Sequence, residues 1–536
     1  MRLKLVALAA LVAAVQLLAG GLAPVAAQAR DPQASSSSSP SSWSSAYPWP
    51  AESWPVSTPE ERGMDSAQLA RLVETVGSFG QDSFLIVRHG RIVADAYYAP
   101  FAPGIAHDLR SVTKSVVGTL TAIQLHKGML DSTDRRVADL FSKWQIGNDD
   151  ARKQAMTVQN LLDMTSGMAW TERYYTPDET LMQMFRSPDR TAFVLDRPMA
   201  HAPGTTFNYS GGDPYLLSAL INVKSGKSAQ DFAMKELFGP LGIRSAAWGN
   251  NDIQGVTDGQ AGLFLTPHDM ARFGYLYLRN GRWEDKQIIP SAWVEQAKAG
   301  NVVAKWGYRY GNLWWSLPDK GAYMARGRHS QLIVVLPKLD IVAVMTGVLR
   351  DTESYPVAGL IDEIAKAVRS DEPLPANPAG VALLAGAIRE AATEKPGPAA
   401  GVATGASGLA RTISGKVYRL ADNPLRMKSF RLDFFDRPDP TWEVVLRADP
   451  PTDRRTGVFG TDGFYRTSPP GPYGTNAVRG RWLDERTFQL DSRTLGRGET
   501  QTWTFAFEGD RPGDAVTIRF ENTDGFKAEL RGAVSE

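Results

Sequence analysis

Ser111-Val112-Thr113-Lys114 opens the stretch whose reading sets the centre of the fold. Val116, Leu120 and Ile123 follow at helical spacing, and Gly128 stands where a helix C-cap is wanted. A helix beginning here puts residues three apart on one face, so the Lys114 amine lies over the Ser111 hydroxyl. A serine becomes a useful nucleophile only beside a base, and a partly desolvated lysine can be that base. The same spacing also occurs at ordinary helix starts, so its weight depends on its company.

Around this helix the periods are mixed. Phe84-Leu85-Ile86-Val87, the turn His89-Gly90 and Ile92-Val93-Ala94 read as an antiparallel hairpin. Residues 158–164 and 267–278 read as helices, and 331–336 and 341–346 as further strands. Strands at both ends with helices between them predict an α+β domain, an antiparallel sheet flanked by helices, rather than a doubly wound sheet. From Ile413 short alternating runs recur at 430–435, 442–446, 487–490, 503–507 and 516–520. Turn dipeptides such as Asp462-Gly463 and Asp524-Gly525 separate them. They predict a small all-β C-terminal domain, a sandwich or barrel, with no chemistry visible in it.

The N-terminus follows the order of an export signal. Arg2 and Lys4 precede an apolar run over residues 5–22, and Ala27-Gln28-Ala29 offers a small-x-small cleavage site. Gly20-Gly21 and Pro24 favour cleavage over a retained span. The expected organisation is a signal peptide over 1–29, a Ser/Pro-rich linker over 30–55 and the central α+β domain over 56–370. A short helix (381–392) and linker fill 371–412, and the β-domain takes 413–536. The expected location is the periplasm or the medium.

Composition excludes several chemistries. Lys+Arg (59) and Asp+Glu (58) nearly cancel across 536 residues, so no basic excess points to nucleic acid or an anionic membrane. Cysteine is absent, which removes disulfides, thiolate zinc sites and a cysteine nucleophile. The six histidines show no His-x-x-x-His spacing, so no metal is expected. There is no Gly-x-Ser-x-Gly elbow and no Gly-rich phosphate loop, and no cofactor is expected.

Two further segments give Ser111 and Lys114 company. Phe207-Asn208-Tyr209-Ser210-Gly211-Gly212 carries a tyrosine in a tight, glycine-bearing loop. Ala325-Arg326-Gly327-Arg328-His329-Ser330-Gln331 leads straight into an apolar strand, a position that suits an edge strand with a backbone N–H facing a reacting carbonyl. In this order the three segments resemble the serine β-lactamase-related hydrolases. That group includes class C β-lactamases, D-alanyl-D-alanine carboxypeptidases, family VIII esterases and, most similar in pattern, 6-aminohexanoate-dimer hydrolases.

The resemblance runs from about Trp54 to about Leu349. It is carried also by Ser57-Thr58-Pro59-Glu60 with Gly63-Met64, Val87-Arg88-His89-Gly90 and Leu161-Leu162-Asp163-Met164-Thr165-Ser166-Gly167. Asp269-Met270-Ala271-Arg272-Phe273-Gly274 and Tyr310-Gly311 with Trp314-Trp315 agree as well.

The resemblance implies a β-lactamase/transpeptidase-like fold with Ser111 as nucleophile, Lys114 as its activating partner and Tyr209 as second acid/base. It implies an oxyanion hole made by the backbone N–H groups of Ser111 and of the third segment, assigned to Arg328. Two departures stand out. The motif Tyr-x-Asn has Gly211 in its third position, and Lys/His-Thr/Ser-Gly is replaced by Arg328-His329-Ser330. Both point away from β-lactams and toward amides or esters.

Arg328 could alternatively pair with a substrate carboxylate. Gly211, Gly327 and His329 are substrate-binding candidates. Trp170 and Tyr174, with Tyr175, either roof the pocket or pack the core. The reading is an exported serine hydrolase acting on a small-molecule amide or ester through a Ser111 acyl-enzyme. The alternatives are a catalytically reduced penicillin-recognising sensor, a β-lactamase or carboxypeptidase, or a chain whose β-domain mainly contacts the cell wall or a partner.

Overall fold

In the computed structural model the described residues are 49–50, 52–173, 176–249, 251–350, 355–397, 406–435, 437–447, 453–471, 474–509, 511 and 513–535. The expected signal peptide and most of the expected linker lie outside them, as do Tyr174 and Tyr175.

An eight-stranded antiparallel sheet forms the frame of the first domain. Its strands are β1 (Gln81–Arg88), β2 (Arg91–Tyr97), β3 (Val302–Val303), β4 (Arg309–Gly311), β5 (Trp314–Leu317), β6 (Ala322–Gly327), β7 (Gln331–Leu336) and β8 (Ile341–Gly347). They lie in the order β2-β1-β8-β7-β6-β5-β4-β3. The β1–β2 pair is the hairpin read from the sequence, with His89 and Gly90 both at positive φ in its turn. β1 and β8 are buried along their whole length, as expected of strands covered on both faces.

Helices cover this sheet. α1 (Ser66–Ser78) is capped by the Asp65 carboxylate, which accepts from the Gln68 N–H, and it buries Leu69, Leu72, Val73 and Val76 along one stripe. α2 (Val112–His126) is buried all round from Val112 to Gln124, the pattern of a helix enclosed by other elements. It packs against α3 (Gly212–Ser225). α4 (Pro267–Leu278) starts with proline in its first turn behind a Thr266 cap and lies on β7 and β8. α5 (Val357–Ala367) returns to α1, and so does α6 (Pro378–Ala392). α6 therefore begins earlier than the sequence pattern suggested and packs into the first domain. Among the described residues, no helix is long and apolar enough to cross a membrane.

A second, all-β unit follows. Its strands are β9 (Val417–Leu420), β10 (Met427–Asp433), β11 (Thr441–Leu446), β12 (Asp453–Val458), β13 (Arg466–Thr467), β14 (Asn476–Trp482), β15 (Thr487–Thr494), β16 (Glu499–Glu508), β17 (Ala515–Asn522) and β18 (Lys527–Val534). Consecutive strands pair except β12 with β13, and β9 closes onto β18, so the sheet curls into an up-and-down barrel-like form. Phe430, Phe488, Phe505, Phe507 and Ile518 alternate inward into its separate core.

Candidate active site

Ser111 is the N-cap residue of α2, half-buried, with Lys114 one turn on and buried beneath it. The Lys114 Nζ donates to Ser111 Oγ and to the Gln260 carbonyl, both at 2.9 Å. Gln260 reaches this point because Leu263–Leu265 pairs with His107–Asp108, just ahead of Ser111. The Ser111 N–H has no intramolecular acceptor among the described residues, which leaves it available to a bound oxygen.

The tyrosine loop is fixed from two sides. The Asn208 N–H donates to the Met164 carbonyl (2.8 Å), and the Asn208 amide donates to the Trp170 carbonyl (3.2 Å). Tyr209 is thereby set with its ring 4.9 Å from Lys114 Nζ. Trp315 stacks on it at 5.8 Å, and Tyr310 stands edge-on to both rings. Burial holds the Tyr310 phenol well above its usual range, so it stays neutral beside Tyr209. Of the tryptophan pair, Trp314 faces the core against Tyr277 and Trp315 faces the site, as strand alternation requires.

The third segment differs from the edge strand expected. β6 lies inside the sheet, between β5 and β7. Its pairing with β5 covers only Ala322–Met324, so its last residues run on past β5 toward Ser111. Gly327 makes this approach possible: a Cβ there would lie 2.4 Å from the Leu109 carbonyl oxygen and 3.1 Å from Arg110 Cβ. Gly327 thus sets the distance between the strand end and the nucleophile segment. Arg328 follows, and its guanidinium pairs with Asp524 of the barrel at 3.2 Å. His329 is buried, with Nδ1 2.7 Å from the Leu349 carbonyl and Nε2 3.2 Å from Asp524, so it faces the barrel and not the cleft.

Trp170 forms a wall, not a roof. It is buried under the start of α3, with Nε1 donating to Glu172 at 2.7 Å. Gly211 explains the missing asparagine. Its N–H donates to the Glu172 carboxylate, and a Cβ would meet Glu172 Oε2 at 2.8 Å and Leu181 at 3.0 Å. Glu172, half-buried as a residue, therefore turns its carboxylate into the space an asparagine would need.

Sequence reasoning missed Glu172, since a lone acidic residue in an irregular segment carries no motif. It also missed two enclosed carboxyls. Asp258 is raised by burial despite its bond from the Gln260 N–H. Asp213, which accepts from Ser166 and Ser210, is pushed up to about 8 by burial. Glu172 is likewise raised by burial, with Lys114 and Trp170 opposing the shift.

Several known proteins are similar to this chain in sequence or fold. A 6-aminohexanoate-dimer hydrolase of Paenarthrobacter ureafaciens is 24% identical over 287 residues, 49% of this chain and 71% of that protein. A Bacillus anthracis protein proposed to be a 6-aminohexanoate-dimer hydrolase superposes with a TM-score of 0.51 at 20% identity, covering 61% of this chain and 89% of its own. EstCE1, a hydrolase with promiscuous acyltransferase activity, covers 57% of this chain and 99% of its own at 17% identity and a TM-score of 0.48. The family match spans residues 69–358, more than half of the chain, and the chain belongs to the beta-lactamase family.

Proposed function

We propose that the chain is a serine hydrolase that cleaves an amide or ester through an acyl-enzyme on Ser111. The observation that carries this reading is the position of Lys114 Nζ, 2.9 Å from Ser111 Oγ and 4.9 Å from the Tyr209 ring. In the first half-reaction Ser111 Oγ attacks the carbonyl carbon and its proton passes to Lys114. The oxyanion is held by the Ser111 N–H and by an N–H of the third segment, assigned to Arg328. Tyr209 protonates the leaving amine or alcohol. In the second half Tyr209 takes a proton from water as that water attacks the acyl-enzyme carbonyl, and Lys114 returns its proton to the departing Ser111 Oγ, which restores both residues.

Gly211 and the Glu172 carboxylate behind it favour linear amides or esters over β-lactams, because the motif amide is absent and its space is filled. The basic, apolar and small-residue order of the N-terminus supports export.

A parallel assay of a nitrophenyl ester, an amino-acid amide panel and a chromogenic cephalosporin tests the substrate class. Steady turnover of the ester or an amide, with slower cephalosporin turnover, is expected. Preferred cephalosporin hydrolysis would reverse the assignment, and one product per protein with no steady state would mark a binding module.

A further inference from the structure

The barrel touches the first domain at the two segments that flank the proposed oxyanion hole. Arg110 immediately precedes Ser111. Its guanidinium donates to the Glu499 carboxylate and the Arg497 carbonyl, both at 3.0 Å. At the third segment one oxygen of Asp524 lies 3.2 Å from the Arg328 guanidinium and 3.2 Å from His329 Nε2. Burial alone would raise the Asp524 carboxyl, yet His329, Arg328 and Arg110 together hold it well below the usual carboxylate range, although 25% of the side chain is exposed.

The residues so held have unusual backbones. Arg110 has φ 49°, His329 φ 62° and Ser330 φ 72°, left-handed conformations that non-glycine residues keep only where their surroundings over-determine them. The turn Asp524-Gly525 between β17 and β18 and the start of β16 hold Arg110 and His329 from the barrel side, while the Asp108 carboxylate, accepting from the Arg110 N–H at 3.0 Å, and the Leu349 carbonyl hold them from within the first domain. A second anchor joins the domains nearby, where Asp82 accepts from Arg493 and lies 3.0 Å from His107.

We propose that Asp524 and Glu499 of the barrel are positioning residues for the hydrolytic site, bracing Arg328–His329 and Arg110 so that the backbone N–H groups on either side of the reacting carbonyl converge. This rests on the Ser111 acyl-enzyme reading and deepens it. The barrel is then part of the catalytic unit and not a tethered binding module. Because donors placed for the transition state act on the chemical step, weakening the brace lowers kcat more than it raises KM.

The test uses the full-length chain with Asp524→Ala, Asp524→Asn, Asp524→Glu and the double variant Asp524→Asn/Glu499→Gln. Each is assayed for kcat and KM on a nitrophenyl ester, for thermal unfolding, and for Ser111 labelling by an acylating probe. Expected are a loss of kcat of about 10-fold or more in Asp524→Asn, a KM within about 3-fold, partial recovery in Asp524→Glu and a larger loss in the double variant. The near-isosteric Asn and Gln variants keep the test available if Asp524→Ala does not fold. Wild-type kcat in the folded double variant would overturn the proposal. Turnover surviving Ser111→Ala would instead overturn the underlying mechanism, so the two failures are distinct.

Discussion

Replacing Gly327 by alanine adds one methyl group where the end of β6 meets the segment that leads into Ser111. Its φ is −125°, so alanine brings no backbone strain of its own and the effect is purely one of contact. The new Cβ would lie 2.4 Å from the Leu109 carbonyl oxygen, whereas ordinary contact begins at 3.4 Å. The obstacle is backbone, which cannot rotate away as a side-chain tip can. The strand end and the Ser111 segment must therefore separate by about 1 Å, at an overpacking cost of about 1–3 kcal/mol. Catalysis should suffer more than stability, because about 1 Å of misplacement can cost about 100-fold in rate. Steady-state hydrolysis of a nitrophenyl ester, read beside the unfolding midpoint, separates the two effects. Wild-type kcat/KM in a folded Gly327→Ala protein would refute the claim that this approach sets the oxyanion geometry.

Other substitutions probe the remaining parts. Tyr209→Phe keeps the stack on Trp315 but removes the hydroxyl, and kcat/KM, which reports acylation, should fall about 100-fold or more on an amide, with a smaller loss on an activated ester whose leaving group needs no proton; equal losses of kcat/KM on both would argue against proton donation by Tyr209. Gly211→Asn should lose stability by about 1–3 kcal/mol through its clash with Glu172, and Glu172→Ala in the same chain should recover part of it in a double-mutant cycle, strict additivity being the contrary result. Asp213 gives a pH dependence. Its carboxyl is raised from 3.8 to about 8, so in that window the folded chain keeps a proton that the unfolded chain has released. Its contribution to stability is thus greatest at low pH and is lost as pH rises through the window, by up to about 1.4 kcal/mol per pH unit. Asp213→Asn should flatten the stability–pH curve between about pH 4 and 8, and denaturant melts with unchanged slopes would contradict this.

Local periodicity made much of the fold legible. The β1–β2 hairpin, the helix behind Ser111 and the strands β7 and β8 follow from apolar spacing and turn residues alone. The three segments carrying Ser111, Tyr209 and Gly327 were legible as motifs, and they do converge. What escaped depends on contacts between distant parts of the chain. Glu172 acquires meaning only because Gly211 leaves room for it. The third segment suits an edge strand because it leads straight into an apolar run, and only long-range pairing with β5 and β7 places β6 inside the sheet. Asp524-Gly525 was read as a turn, which it is, but nothing local showed that its carboxylate would meet Arg328 and His329. The barrel looked chemically silent for the same reason.

The central claim is that Ser111 carries the acyl group. Intact-protein and peptide mass spectrometry after reaction with a slowly deacylating ester or β-lactam probe tests it most directly. A single acyl adduct on the peptide containing Ser111, absent in Ser111→Ala, is the result predicted. An adduct on another residue, or unchanged turnover by Ser111→Ala, would contradict it.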